Sequence, residues 1–217
     1  MGPDKARFFT RKILEKELYD VVISTGFAGA LHSLPIGSLV IGHEVLVGQS
    51  EDVVSDSGLQ RIACHPDWVQ ASLNMPLSGP YPLQGGRFVT INRVLTLASQ
   101  KQTLGRQTGA LAVDMESGAI GQVVQEFGIP FFIVKAISDS VDEDLPMDFN
   151  LFLKPKGWVE GMRQILSTPQ CWKGFFRLYR NSKQAGLQLS KFFEKFFCTL
   201  PFSAFSITNT KTGVLNP

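Results

Sequence analysis

The fold is decided by two stretches of the chain, Leu111-Ala112-Val113-Asp114-Met115-Glu116-Ser117-Gly118-Ala119 and Ile133-Val134-Lys135-Ala136-Ile137-Ser138-Asp139. Each opens with the apolar and β-branched residues that are typical of a buried strand, and each leads into acidic residues. The first stretch then passes directly into a helical pattern. We expect the two strands to be neighbours that deliver their carboxylates to one edge of a sheet, where open α/β folds bind small ligands.

Strands and helices alternate on both sides of these stretches. Helical patterns cover Asp4–Leu18 and Glu116–Phe127, the second followed by Gly128 and Pro130. The apolar side of the first helix would carry Phe8, Phe9, Ile13, Leu14 and Leu18. Strands are predicted at Asp20–Ser24, Ser38–Val47, Arg87–Leu97 and Phe131–Ile137, and helices at Arg61–Asn74 and Gly157–Leu166. This order predicts a three-layer α/β/α fold with a mixed, mostly parallel central sheet.

The composition divides the chain into one large domain and a basic end. The 217 residues are 44% hydrophobic, which is enough for one core. We predict an α/β domain over residues 1–168, a basic, aromatic, helical extension over 169–200 and a disordered tail over 201–217. The extension could dock on an anionic membrane surface. Alternatively, its phenylalanines pack against the domain or a partner subunit. These are Phe192, Phe193, Phe196 and Phe197.

Charge and cysteine usage limit the class of protein. A formal net charge of +2 is too small to predict a nucleic-acid partner. Cys64, Cys171 and Cys198 lie far apart and the histidines show no ligand spacing, so neither a metal, a disulfide nor a cofactor is predicted. Residues 1–12 are polar and basic, without the apolar run of a signal peptide. These features together predict a cytoplasmic protein.

The Asp114-Met115-Glu116 sequence can bind a sugar. A carboxylate accepts hydrogen bonds from two adjacent hydroxyls, so Glu116 could hold a ribose while Met115 packs on the face of the ring. The alternative is a structural role, because acidic residues are favoured where a helix begins. Asp114 could serve only as a helix cap.

The Ser138-Asp139 pair can supply an acid at the end of its strand. A purine leaves a ribosyl carbon poorly as an anion, and protonation makes it a neutral leaving group. Asp139 could donate that proton, with Ser138 orienting it and an oxocarbenium-like transition state at the sugar. The alternative is an aspartate with a purely structural role in a polar loop.

The stretch Thr25-Gly26-Phe27-Ala28-Gly29 is predicted to be a small turn after the strand at Asp20–Ser24. Backbone N–H groups in such a turn could face an anion or a ribose oxygen. The stretch lacks the Gly-x-Gly-x-x-Gly spacing, so a dinucleotide site is not predicted.

Together with Ser24–Leu31 and Pro35–Val40, these motifs resemble the purine nucleoside phosphorylase/nucleosidase superfamily, which includes the methylthioadenosine/S-adenosylhomocysteine nucleosidases. Their order and spacing match over roughly residues 1–165. Ala110–Ala119 and the basic C-terminal region look most similar to the hopanoid-associated nucleoside phosphorylases, which are thought to remove adenine from an adenosyl lipid.

The resemblance implies an enzyme that cleaves the N-glycosidic bond of a purine (adenine) nucleoside by phosphorolysis or hydrolysis, with inorganic phosphate as a candidate co-substrate. It also implies a homo-oligomer. Asp139 would protonate the purine with support from Ser138, and Glu116 would hold the ribose hydroxyls. The substrate-binding residues would be Glu116, Met115, Asp114, Val94 and Val113. The turn residues Thr25, Gly26 and Phe27 would face the nucleophile.

The sequence departs from this family in two places. Relatives that bind phosphate commonly carry an arginine before the turn and a hydroxyl residue inside it, where this chain has Ser24 and Phe27. This difference disfavours phosphate as the nucleophile. In relatives, several strands precede the helix that begins here at Gly2–Ala6, so we expect an N-terminally truncated fold. A non-catalytic, nucleoside-binding remnant is therefore the alternative to an enzyme.

Overall fold

The computed structural model describes residues 2–48, 59–77, 79–146, 150 and 169–199, with side chains in the last range described from residue 174 onward. The elements in these ranges are, in chain order, α1 (Pro3–Leu14), β1 (Val22–Ala30), β2 (Leu39–Val47), β3 (Gln60–Ala63), α2 (Pro66–Leu73), β4 (Leu83–Thr90), α3 (Ala98–Thr108), β5 (Ala112–Asp114), α4 (Ser117–Glu126), β6 (Phe131–Asp139) and α5 (Pro169–Thr199). The predicted helix at Gly157–Leu166 lies outside the described residues.

The strands form one sheet in the order β3-β2-β4-β5-β1-β6. β2 pairs with β4 along one edge and divides its other edge between β6 and β3, so the sheet also closes on itself through the β2–β6 pairing. The two longest ladders, β1–β6 and β2–β4, are parallel. The predicted α/β class with a mixed, mostly parallel sheet is confirmed.

β6 is mostly apolar in sequence because both of its faces are covered. β6 is buried along its length up to Asp139, which is half-buried. α2 packs on β2, α5 on β6, and α1 on α4. Polar contacts also join α1 to α4. Arg7 Nη2 lies 2.5 Å from Gln122 Oε1, and Arg11 contacts Glu126. These contacts hold α1 alongside α4, the helix that follows the acidic motif.

The prediction for the first helix is wrong at its C-terminal end and on its buried face. α1 ends at Leu14, and Leu18 is fully exposed beyond it. Phe8, Phe9 and Ile13 are 61, 49 and 50% exposed, whereas Ala6 and Leu14 are the buried members of α1. The amphipathic pattern predicted the helix correctly, but its bulkiest apolar side chains face outward.

The predicted turn at residues 25–29 is wrong because β1 continues through it to Ala30. Residues 22–28 pair in parallel with residues 131–137 of β6, and this long ladder keeps a glycine-rich segment extended. Gly26 has φ +132°, a conformation that L residues rarely adopt and that glycine adopts without strain.

Three further expectations are corrected by the pairing of the strands. Arg61–Asn74 is a strand followed by a helix, β3 and α2, and not one helix. The predicted strand Arg87–Leu97 is β4, which starts at Leu83 and ends at Thr90, where its ladders with β2 and β5 end. β5 and β6 are not neighbours, since β1 lies between them and runs antiparallel to β5.

The helix α5 packs on the domain through its aromatic side chains. Phe192 and Phe196 are fully buried, and the Phe196 ring lies 6.0 Å from Trp68 and 5.8 Å from Phe132. This packing favours the second interpretation of the extension for these two residues, while Phe197 stays 55% exposed. Among the described helices, none is both long and apolar enough to cross a membrane. The division of the chain at residue 168 stays a prediction.

Candidate active site

One pocket collects most of the acidic motif and the end of β6. Its volume is about 200 Å³. It is lined by Phe27, Ala28, Gly29, Arg93, Val94, Leu95, Lys101, Val113, Asp114, Met115, Glu116, Ser138, Asp139 and Leu145. Glu116 and Asp139 thus lie in the same cavity, as the sequence predicted for their position.

The strand β1 lies between the two acidic segments and brings them together. It is paired with β5 on one side and with β6 on the other, and Gly29 is opposite both Val113 and Asp139. A Cβ atom at Gly29 would lie 3.0 Å from Asp139 Oδ2 and 3.2 Å from Val113 Cγ1. The absence of a side chain at Gly29 therefore lets the carboxylate approach the backbone of β1.

Asp139 is held by two side chains at the edge of the pocket. Lys101 Nζ lies 2.7 Å from its Oδ2, and Ser138 Oγ donates to its Oδ1 at 3.3 Å. The Asp139 side chain is 19% exposed and that of Lys101 only 1%. A carboxyl group with this degree of exposure can still contact a ligand in the pocket.

Asp114 is enclosed by protein donors. Its Oδ2 lies 3.0 Å from Lys135 Nζ, and its Oδ1 accepts a 2.6 Å hydrogen bond from Thr90 Oγ1. The backbone N–H of Ser117 donates to the same carboxylate at 3.1 Å, and the Ser117 hydroxyl donates to it as well. Since Ser117 begins α4, Asp114 satisfies a free N–H of the helix start. This geometry favours the capping interpretation, and substrate binding by Asp114 stays a prediction.

Glu116 lies at the N-cap position of α4 and is half-buried. Its Oε1 accepts a 3.0 Å hydrogen bond from the backbone N–H of Gly2, the residue before α1. This contact fixes the Glu116 carboxylate between the starts of two helices. Met115, beside it, is half-buried and lines the same pocket.

Val94 also lines the pocket, and its backbone is held in place. The Asn150 side chain accepts from the Val94 N–H at 2.7 Å and donates to the Val94 carbonyl at 2.9 Å. This double contact fixes the segment after β4, where the resemblance implies that Val94 binds substrate.

The nucleophile-side residues are only partly brought to the pocket. Phe27 lines it and is 46% exposed, whereas Thr25 and Gly26 are absent from the described lining residues. The reason is that these residues continue β1, where Gly26 is paired with Lys135 away from the end of the strand. A turn of backbone N–H groups around Thr25 and Gly26 is therefore not formed.

Sequence reasoning missed two cationic residues of the pocket. Arg93 directly precedes Val94, a predicted substrate-binding residue, and that neighbourhood was the available signal. Lys101 lies in the polar stretch that forms α3, where it shares a buried face with Leu104, Gly105 and Thr108. Its spacing to these residues is helical, but nothing local in the sequence connects it to Asp139.

Known proteins are similar to most of this chain. The model of the Phosphorylase superfamily matches residues 1–155. A 5'-methylthioadenosine/S-adenosylhomocysteine nucleosidase of Shewanella oneidensis is 27% identical over 180 residues, which cover 78% of this chain and 76% of that protein.

Solved structures show the same fold. A 5'-methylthioadenosine/S-adenosylhomocysteine nucleosidase from Neisseria meningitidis, in complex with methylthio-immucillin-A, has a TM-score of 0.68 at 23% identity over 92% of this chain and 78% of that chain. A futalosine hydrolase from Helicobacter pylori has a TM-score of 0.63 at 17% identity over 89% of this chain and 76% of that chain. On the match of the family model over residues 1–155, this chain belongs to the Phosphorylase superfamily.

Proposed function

We propose that this protein hydrolyses the N-glycosidic bond of a purine nucleoside and releases the free base. The observation that carries the proposal is the presence of Glu116 and Asp139 in one pocket. Membership of the Phosphorylase superfamily supports it, as does the similarity to a protein named as a methylthioadenosine/S-adenosylhomocysteine nucleosidase.

The proposed reaction assigns one task to each end of the pocket. Glu116 accepts hydrogen bonds from the ribose hydroxyls, and Met115 packs on the sugar. Asp139 donates a proton to the purine ring as the bond between the base and the anomeric carbon breaks, so the bond electrons leave with a neutral base. A water molecule adds to the oxocarbenium-like carbon and loses a proton, which restores the acid.

Water is proposed as the nucleophile over phosphate. Phe27 occupies the place where phosphate-binding relatives are expected to carry a hydroxyl, and Thr25 and Gly26 do not line the pocket with it. The similar proteins named above are nucleosidases and a hydrolase. An adenosyl-lipid substrate has no support among these names and stays a prediction.

A direct assay tests the reaction. Purified protein is incubated with methylthioadenosine, S-adenosylhomocysteine or adenosine, and free adenine and the sugar product are separated by chromatography. We expect adenine and free sugar at a rate that does not depend on inorganic phosphate. Sugar phosphate formed only with added phosphate would instead support phosphorolysis.

The same assay separates an enzyme from a non-catalytic remnant. Asp139→Asn keeps the shape of the side chain but cannot donate the acid proton. We expect it to lower the rate of base release by ~10²- to 10⁴-fold, the usual contribution of a general acid. Calorimetry that detects nucleoside binding by the unmodified protein without any base release would favour the remnant.

We also propose that the protein forms a homo-oligomer. Phe8, Phe9 and Ile13 leave large apolar side chains exposed on one helix, α1, and such surfaces mark contact sites when they are contiguous. Light scattering after size-exclusion chromatography should give a multiple of the chain mass. Phe9→Glu should lower that mass, and an unchanged mass would remove α1 from the interface.

Membrane contact through the extension and a cytoplasmic location stay predictions. Phe176 and Tyr179 of α5 are 70 and 66% exposed, so aromatic side chains remain available at the surface. Flotation of the full chain with liposomes that contain anionic lipids, compared with liposomes of neutral lipids, tests the contact. Equal behaviour on both would exclude the electrostatic docking.

A further inference from the structure

Lys101 is a buried lysine that the proposed reaction does not yet use. It lies on α3, on the same face as Leu104, Gly105 and Thr108, and 1% of its surface is exposed. The ammonium group of a buried lysine loses its hydrogen bonds to water, and contacts with protein acceptors must replace them. Its ammonium group must therefore have partners of its own.

The ammonium group of Lys101 meets three acceptors. Nζ lies 2.7 Å from Asp139 Oδ2, and it donates to the Ser140 carbonyl at 2.8 Å and to the Glu143 carbonyl at 3.1 Å. A lysine ammonium has three N–H donors, so these contacts account for all of them. The position of Nζ is fixed relative to the end of β6 and to the segment that follows it.

We propose that Lys101 is the positioning residue for Asp139. This inference rests on the proposed function, in which Asp139 is the acid. A protonated carboxyl group carries its hydrogen on one oxygen and accepts on the other. Because Lys101 occupies Oδ2 as a donor, the acid proton is directed to Oδ1, the oxygen beside the Ser138 hydroxyl.

Other contacts already hold the segment after β6 near α3, so its attachment does not require Lys101. The Leu145 N–H donates to the Thr96 carbonyl at 2.8 Å, and the Ala98 N–H donates to Asp144 Oδ1 at 2.7 Å. Gln102 Nε2 also donates to Asp142 Oδ1 at 3.2 Å. What Lys101 adds to these contacts is a donor to Asp139 Oδ2.

The nearby acid that could compete for Lys101 is bound elsewhere. Glu143 offers its backbone carbonyl to Lys101, while its carboxylate lies 3.3 Å from Arg177 Nη1 of α5. Among the described residues, Asp139 is thus the carboxylate that pairs with this lysine.

The test compares Lys101→Met, which keeps most of the side-chain length, with the unmodified enzyme. We expect kcat for base release to fall by ~10²-fold, the scale of a misplaced catalytic group, while KM changes by less than about threefold. Lys101→Arg, which keeps the charge and the donors, should recover part of the lost kcat. Lys183→Met, at an exposed position of α5, is the matched control and should leave both constants unchanged.

A double-variant cycle separates positioning from general support of the fold. If Lys101 acts through Asp139, adding Lys101→Met to Asp139→Asn should lower the residual rate by less than about twofold. A full second loss in that background would show that Lys101 acts independently of Asp139 and would overturn the proposal. Should Lys101→Met fail to fold, Lys101→Gln takes its place in the same cycle.

The outcomes also separate this inference from the proposed function. The roles of Asp139 and Lys101 are both overturned by either of two results. One is base release by Asp139→Asn at the rate of the unmodified protein, and the other is no base release by the unmodified protein. A large loss in Asp139→Asn combined with full kcat in Lys101→Met overturns the role of Lys101 alone.

Discussion

Two aspartate–lysine pairs, built from the same chemical groups, have different surroundings in this protein. The Asp114–Lys135 pair is separated by 3.0 Å, and its side chains are 1 and 4% exposed. The Asp139–Lys101 pair is separated by 2.7 Å, and its aspartate is 19% exposed. The first pair joins β5 to β6 inside the sheet, whereas the second lies at the end of β6.

The difference lies in what else each carboxylate contacts. Thr90 and Ser117 donate to the oxygens of Asp114 from inside the protein. Asp139 receives only a long 3.3 Å contact from Ser138 besides its lysine, among the contacts described for it. A carboxylate surrounded by protein donors stabilises the fold, and one with unused acceptor capacity beside a cavity can bind a ligand.

Asp114→Asn should have the largest effect on stability, and it tests whether the buried Asp114–Lys135 pair stabilises the fold. It removes the charge that compensates Lys135, and an uncompensated buried charge destabilises a protein by about 3–5 kcal/mol. Denaturant unfolding followed by circular dichroism measures this loss. Asp139→Asn is the matched variant, and we expect it to lose less stability, since Lys101 keeps two carbonyl acceptors. Equal losses in both variants would remove the distinction.

Glu116→Gln tests whether a second carboxylate that lines the pocket binds a ligand, as proposed for the more exposed Asp139. The amide keeps the shape of the side chain but loses the charge that strengthens hydrogen bonds to ribose hydroxyls, which are worth about 1.5–3 kcal/mol. We expect kcat/KM for adenosine to fall by about 10- to 100-fold, with little change in stability.

A substrate without the 2'-hydroxyl supplies the control for Glu116. The unmodified enzyme should prefer adenosine over 2'-deoxyadenosine, and Glu116→Gln should lose most of that preference. A preserved preference in the variant would assign ribose recognition to another group.

Gly29→Ala perturbs the Asp139–Lys101 pair without removing any of its polar groups. The added Cβ would lie 3.0 Å from Asp139 Oδ2, so the carboxylate must move by a few tenths of an ångström. We expect about a tenfold loss of kcat, within the range for misplacement of a catalytic group. Gly85→Ala is the control, because its Cβ would meet Leu73 Cδ1 at 3.2 Å. Unchanged kcat in Gly29→Ala would indicate that the position of Asp139 is not critical.

The sequence predicted those parts of the site in which chemistry follows a strand directly. Val113 to Glu116 and Ser138-Asp139 continue apolar runs, and local pattern is sufficient to place them at strand ends. Their roles in catalysis stay predictions, as do the roles of the other lining residues. The α/β class could be predicted for a related reason, because apolar runs such as Phe131–Val134 alternate along the chain with helical patterns.

Features that depend on pairing partners could not be predicted from local pattern. The segment from Thr25 to Gly29 resembles a turn in composition, and only its ladder with β6 makes it a strand. Lys101 resembles any lysine of a polar helix, and its partner Asp139 lies far along the chain. The exposed Phe8 and Phe9 follow a pattern that predicts burial, which the described residues do not provide.

The smallest expected effect concerns Cys64, a buried thiol that belongs to neither aspartate–lysine pair. Burial raises the pKa of this thiol from its ordinary 9.0 to about 12. The folded protein therefore keeps the thiol protonated at a pH where the unfolded chain ionises it, and stability must fall as the pH rises from 9 towards 12. This one group should contribute a loss of about 1 kcal/mol between pH 9 and pH 10.

Denaturant unfolding at several pH values measures this slope in Cys64→Ala and, as a control, in a Cys198→Ala variant. Cys198 is exposed, so its replacement should leave the slope unchanged, whereas Cys64→Ala should flatten it. Other titrating groups contribute equally in all three proteins and cancel in the difference. A slope that does not change in Cys64→Ala would mean that the thiol ionises in the folded protein as readily as in the unfolded chain, and hence that burial does not raise its pKa.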